Sequence, residues 1–361
     1  MYLAHLLEIL TLIVCDVGLE KLLKQPFNMN NKTILVSIAS LEDPYLIPTI
    51  TNALEKALNP SRIYFALGLQ YENQPDVSFI ENKSHILRYH PDNRPPLIQL
   101  RNDLRKYCID YDYFLQLDAH TKFCSNWDEI LINDLNNLNN FNKGKSIISK
   151  CVGDISPETD VDDVKKLGNT FVRTNWHFEY DLSMQPTKFI LHGFPSHYNM
   201  FYMEKGNYNT RQYISNAYIS AHFIFCESKI FKKVEMPNFS NIGSEEAAVA
   251  ITFFCHGYKV FSPTFPIILS TGGEHYKFPR DKKLWNIIDE NGDLNDPNNY
   301  QKRWIGDSKD QQKEIYRLFL YGENDNFSLN NKEKSIDEFY ESIGLFNMWS
   351  KIRSNINLQN S

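Results

Sequence analysis

Residues 113–123 read YFLQLDAHTKF: a short apolar run that suits a buried strand, then Asp118 and His120 with no turn residue in between. Side chains alternate along an extended chain, so these two point the same way. One divalent ion can take an oxygen from the first and a ring nitrogen from the second. Oxygen with one imidazole suits Mn²⁺ better than a thiolate-rich zinc site does. The ordinary alternative is that both residues mark where a strand leaves the core.

Two further polar clusters bear on that choice. Glu245 and Glu246 open a helix after a Gly243-Ser244 bend. Acidic residues in a first turn complement the helix dipole, and adjacent carboxylates can also hydrogen-bond sugar hydroxyls or orient a reacting centre. The third cluster, GGEHYKFPR at 272–280, sets His275 and Arg280 just beyond the strand PIILS. A lone histidine there is ordinarily a loop residue. Together with Asp118 and His120 it would complete a three-ligand metal site open to a diphosphate.

The elements that must position these residues alternate from residue 33 onward. TILVSIAS (33–40), RIYFALGLQ (62–70), HILRY (85–89), YFLQL (113–117) and SIIS (146–149) read as strands. Asp43 offers an N-cap and Pro44 a first helical position for a helix to Leu58. Pro95 and Pro96 start another, with Leu97, Leu100, Leu104 and Cys108 at helical spacing, and Trp127 to Leu138 traces a third. This βα alternation predicts an α/β fold, with a mainly parallel central sheet and helices on both faces. Such sheets bind ligands at the carboxyl ends of their strands, where Asp118 and His120 would sit.

Residues 151–215 break the rhythm and read as a long excursion over one face, on the acceptor side. Regular structure returns with AYISAHFIFCES (217–228) and with SEEAAVAITFFCHGY (244–258), a helix that Gly257 stops. KVFSP and PIILS come next as strands, and the tail from 309 holds two helices. DENGD at 289–293 fails as a calcium loop because its glycine is misplaced and its twelfth position is Tyr300.

Composition narrows the class. With 42% hydrophobic and 14% aromatic residues the chain can bury a sizeable core. A net charge of −6 and the lack of a basic stripe argue against a nucleic-acid partner. Six cysteines without a CxxC read as reduced core residues of a cytoplasmic protein. The N-terminal segment MYLAHLLEILTLIVCDVGLEKLLKQ is interrupted by Glu8 and Asp16, so residues 1–30 read as an amphipathic helix, and stable membrane insertion is not expected.

Taken in order, six stretches resemble the N-acetylglucosaminyltransferase (GlcNAc) family related to the cytoplasmic enzyme that glycosylates hydroxyproline, a relative of the polypeptide N-acetylgalactosaminyltransferases. VSIASLEDPYLIPTITNAL is similar to its first strand and helix, and PPLIQLRNDL to its arginine-bearing helix, with Arg101 the matching arginine. YFLQLDAHTKFCSNWDEIL is similar to its metal motif, GSEEAAVAITFFCHGYKVFSPTFPI to its Glu-Glu helix, HYKFPR to its later metal histidine, and FSLNNKEKSIDEFYESIGL to its closing helix.

The resemblance implies a GT-A type nucleotide-diphospho-sugar transferase fold over 31–308, with a helical extension at 309–361. It implies a retaining transferase that moves a sugar, N-acetylglucosamine first among candidates, from a UDP-sugar to a protein or glycan hydroxyl acceptor. Asp118, His120 and His275 would hold Mn²⁺ (or Mg²⁺). Asp43, Arg101, Asp118 and Arg280 would meet the nucleotide sugar, and Glu245 and Glu246 would act at the reacting sugar. The chain departs from the family pattern at Leu41-Glu42, Pro95, His222, which replaces part of an Ala-Gly-Phe run, and Thr252. Two other readings of the same residues are a nucleotide- or glycan-binding protein without turnover and a metal-dependent phosphoester hydrolase.

Overall fold

The computed structural model describes residues 32–150, 152–166, 174–180, 189–195, 213–216, 219–238, 245–263, 265–271, 317–324 and 327–359. The N-terminal segment, DENGD, His275 and Arg280 lie outside them.

Ile34–Leu41 (β1) is apolar on both faces, as a strand covered on both sides must be. The predicted strands appear as Ile63–Gln70 (β2), Ser84–Tyr89 (β3), Tyr113–Asp118 (β4) and Ser146–Ser149 (β6). Thr121–Phe123 (β5) pairs with Ile268–Ser270 (β12) in a small separate sheet. Tyr213–Asn216 (β9), Phe223–Glu227 (β10) and Lys259–Pro263 (β11) complete the main sheet, in the spatial order β3-β2-β1-β4-β10-β6-β11-β9. Strands β3, β2, β1 and β4 run parallel, as do β6 and β11, while β10 runs against both β4 and β6 and β9 against β11.

Helices cover both faces, as predicted. Leu46–Lys56 (α1) and Trp127–Phe141 (α3) pack Leu46, Ile50, Trp127 and Leu131 against Ile34, Val36, Ile38, Leu115 and Leu117. On the other face, Leu97–Arg105 (α2) and Glu245–Cys255 (α5) pack Leu100, Leu104, Ala248 and Ile251 against Leu35 and Phe114. Helix α2 comes so close to β2 that a Cβ at Gly68 would stand 2.7 Å from the Leu100 side chain. Gly257 stops α5 at φ +80°, with its N–H on the Phe254 carbonyl and that of Tyr258 on Phe253. Val161–Lys166 forms a short helix (α4).

Three local expectations change. Helix α1 starts at Leu46, because the Asp43 carboxylate accepts the Tyr45 N–H at 2.9 Å in a local turn instead of capping a helix that begins at Pro44. The 151–215 stretch contains a regular antiparallel pair, Thr174–Tyr180 (β7) with Phe189–Pro195 (β8). The tail holds helical residues 317–321, then Ile336–Ser342 (α6), opened by a Ser335/Glu338 capping box, and an unforeseen third helical piece, Phe346–Gln359 (α7). Leu318, Phe319, Phe339, Tyr340 and Trp349 from this tail are buried in the same apolar layer as α2 and α5. Among the described residues no helix is long and apolar enough to cross a membrane.

Candidate functional site

The order β3-β2-β1-β4 places a topological switch point between β1 and β4, since the chain winds away from β1 in both directions. The crevice there is bounded by the residues just past each strand end: Asp43 after β1, Asp118 and His120 at the end of β4. Strand β10 adds a third contributor because it runs the other way. Its start, not its end, reaches this edge. Phe223 pairs with Leu117, and one further step in the same register sets His222 opposite Asp118.

At this edge His120 Nδ1 lies 2.8 Å from Asp43 Oδ2. A carboxylate can only accept, so Nδ1 carries the hydrogen and, in the neutral ring, Nε2 is the basic nitrogen. Nε2 faces Asp118 Oδ2 at 3.9 Å, and His222 Nε2 faces the same oxygen at 3.3 Å. The other Asp118 oxygen accepts from Arg101 Nη2 at 2.7 Å. Ala119 turns into the opposite apolar layer, so Asp118 and His120 share a side as their spacing predicts.

Asp43 is itself held from below. The Tyr71 hydroxyl, buried at the end of β2, donates to the Asp43 carbonyl at 2.9 Å and accepts its N–H at 3.1 Å, while also bonding Ser40. Burial pushes the Tyr71 phenol up, so it remains an O–H donor. His120 is tied by its backbone: its carbonyl accepts the Thr271 N–H at 2.8 Å, four residues before His275 in the chain.

Arg101 lies behind this edge, only 4% exposed. Expected on the diphosphate, its guanidinium instead spans Asp118 and Glu245. Glu245, expected at the sugar, is 2% exposed and faces Arg101, with Arg105 Nη2 at 3.8 Å. Arg105 in turn donates to Gln116 at 2.7 Å. Glu246 accepts the Ala221 N–H at 2.8 Å and Gln116 donates to the Ala221 carbonyl at 3.0 Å, which fixes the turn that presents His222. Asp43, expected at the nucleoside, orients His120. The polar Gln116 inside an apolar strand was a visible sign of this buried network; the convergence of His222 on Asp118 had none, because it depends on the direction of β10.

Two groups at this edge have shifted ionisation. Burial would raise the Asp118 pKa, but His222, Arg101 and His120 outweigh it and hold the carboxyl below its ordinary range. Burial would lower that of His120, but the Asp43 hydrogen bond and the charges of Asp118, Asp43 and Asp154 raise it.

The donor set suits a divalent ion. An oxygen and an imidazole nitrogen converge, and the ring's second nitrogen is anchored on a carboxylate, the support that metal-ligating histidines ordinarily have. Among the described residues no group of three or more His, Cys, Asp or Glu stands ready-made around a cation.

A family profile described as Glycosyltransferase (GlcNAc) matches residues 101–346. No curated protein matches. A solved structure described as the crystal structure of GalNAc-T7 with UDP, GalNAc and Mn²⁺ is similar over 90% of this chain at 13% identity and a TM-score of 0.46. The match spans 57% of that protein's chain.

Proposed function

The chain belongs to the GlcNAc glycosyltransferase family, and from that premise we propose that it is a metal-dependent retaining transferase that moves N-acetylglucosamine from a UDP-sugar to a hydroxyl acceptor on a protein. The observation that carries the proposal is the Asp43–His120–Asp118 arrangement at the switch-point crevice. It supplies an oriented imidazole and an ionised carboxylate where such sheets receive nucleotides.

Asp118, His120 and His275 are the residues that would hold Mn²⁺. When bound, the ion neutralises the leaving diphosphate and acts as a Lewis acid. Arg101 keeps Asp118 ionised and directs its second oxygen forward. Arg280, on the segment that leaves Thr271, adds charge-assisted hydrogen bonds to phosphate oxygens. Glu245 and Glu246 act in this reading as positioning residues, through Arg101 and the Ala221 turn. A retaining course needs no dedicated general base, and none is assigned. A cytoplasmic setting belongs to the proposal.

One observation favours a second reading, binding without turnover: Arg101 and Glu245, both expected at the donor, are bonded to each other. A panel of UDP-, GDP- and CMP-sugars with Mn²⁺, scored for nucleotide release and for binding, separates the two. UDP release from UDP-N-acetylglucosamine, reduced to background by Asp118→Ala, is expected. Binding without release would favour the second reading, and full activity in Asp118→Ala would sink the metal mechanism.

A further inference from the structure

We propose that His222 is a ligand of the divalent ion, alongside Asp118 and His120, so that the ion sits between the ends of β4 and β10. The inference rests on the metal reading above and extends it to a residue outside the family pattern.

The spacing of His222 and Asp118 is that of two donors to one ion. For bonds of about 2.1 Å, two ligands of one ion stand about 3.0 Å apart at octahedral angles and about 3.4 Å apart at tetrahedral ones. His222 Nε2 stands 3.3 Å from Asp118 Oδ2, within that range. His120 Nε2, at 3.9 Å from the same oxygen, is about half an ångström beyond it. As they stand the three do not enclose a cation, and in this proposal His120 turns on its Asp43 anchor to join the other two. Both nitrogens are Nε2 atoms, and both face the same carboxylate oxygen.

The turn carrying His222 is built, not incidental. Ala221 is held by Glu246 at its N–H and by Gln116 at its carbonyl. The Ser220 N–H bonds Ser149, and the His222 N–H bonds Ser220 Oγ at 3.3 Å. This buried framework fixes the backbone, while the imidazole itself is 46% exposed and opens on the crevice.

The test measures Mn²⁺ binding to the full chain by calorimetry and by electron spin-echo modulation from ligand nitrogens, with the metal-free melting temperature as a control. We expect His222→Ala to weaken Mn²⁺ binding roughly 10- to 100-fold and to remove one imidazole-nitrogen coupling, at an unchanged metal-free melting temperature. His222→Gln, which keeps the side-chain length without the imidazole, should lose the same coupling. Wild-type affinity and undiminished nitrogen modulation in both variants, with binding lost in Asp118→Ala, would overturn the role of His222 and leave the metal reading standing. No Mn²⁺ binding by the unmodified protein would overturn both.

Discussion

At the residue scale, the site depends on how two side chains are oriented. His120 hands one ring nitrogen to Asp43, and Asp118 hands one oxygen to Arg101. Each thereby turns its remaining atom toward the crevice, and in the proposed metal site that orientation would leave less ordering for binding to impose. Asp43→Asn retains a side chain of the same size but removes the charge that anchors the ring. It is expected to lower Mn²⁺ affinity roughly 10- to 100-fold while leaving the fold intact, as read by calorimetry with circular dichroism alongside. An unchanged affinity would show that His120 is oriented by something else. Buried Arg101, bridging two carboxylates, shows the cost of such orientation: an arginine without its partners would be strongly destabilising in this interior.

At the element scale, the site needs the ends of the paired strands β1 and β4 fixed by the elements packed on the sheet. The clearest such fixture is Asp128 in the first turn of α3. Its carboxylate is fully buried and accepts from the Leu58 and Asn59 N–H groups and twice from Arg62. Asp128→Ala is expected to destabilise the protein by about 3 kcal/mol, read from denaturant unfolding, because it leaves buried Arg62 with Glu129 as its remaining carboxylate and two backbone donors without their acceptor. Lys56, which reaches Asp160 and Asp162 near solvent, marks the contrast: Lys56→Ala should cost no more than about 1 kcal/mol. Its pH dependence has a definite sign. The Lys56 hydrogen bond depresses the Asp160 pKa, and burial of Asp162 is outweighed by Ser125 and Lys56, so both lie below 3.8. Their stabilisation is complete above that value and is lost as pH falls through the lowered ones. Limited proteolysis within 152–166 should accelerate near pH 3 and not at pH 5; equal rates would refute the tether.

At the scale of the whole molecule, residues 33–361 form one compact unit in which the C-terminal helices share the layer of α2 and α5. Three cysteines sit in that layer. Burial raises the thiol of Cys108 to about 11 and that of Cys255 to about 12, and lifts Cys226 well above 9.0. The folded protein therefore keeps protons that the unfolded chain releases near pH 9, so stability is expected to fall as pH rises above 9. Mass-spectrometric mapping after alkylation at pH 8 should find these three unmodified until the protein unfolds. Rapid modification in the native state would mean that the layer opens.

The features readable along the chain were the local ones. Strand and helix types derive from side-chain periodicity, and the shared direction of Asp118 and His120 derives from a two-residue repeat; both appear in the fold. The late start of α1 and the extra helix α7 escaped because a competing turn at Asp43 and tertiary packing of Trp349 outweigh local propensity. The partners of the charged groups were decided only by the tertiary arrangement. Arg101 meets Glu245 across 144 positions, and His222 meets Asp118 because β10 is antiparallel. Strand direction and helix docking are properties of the assembled core, and no window of sequence contains them.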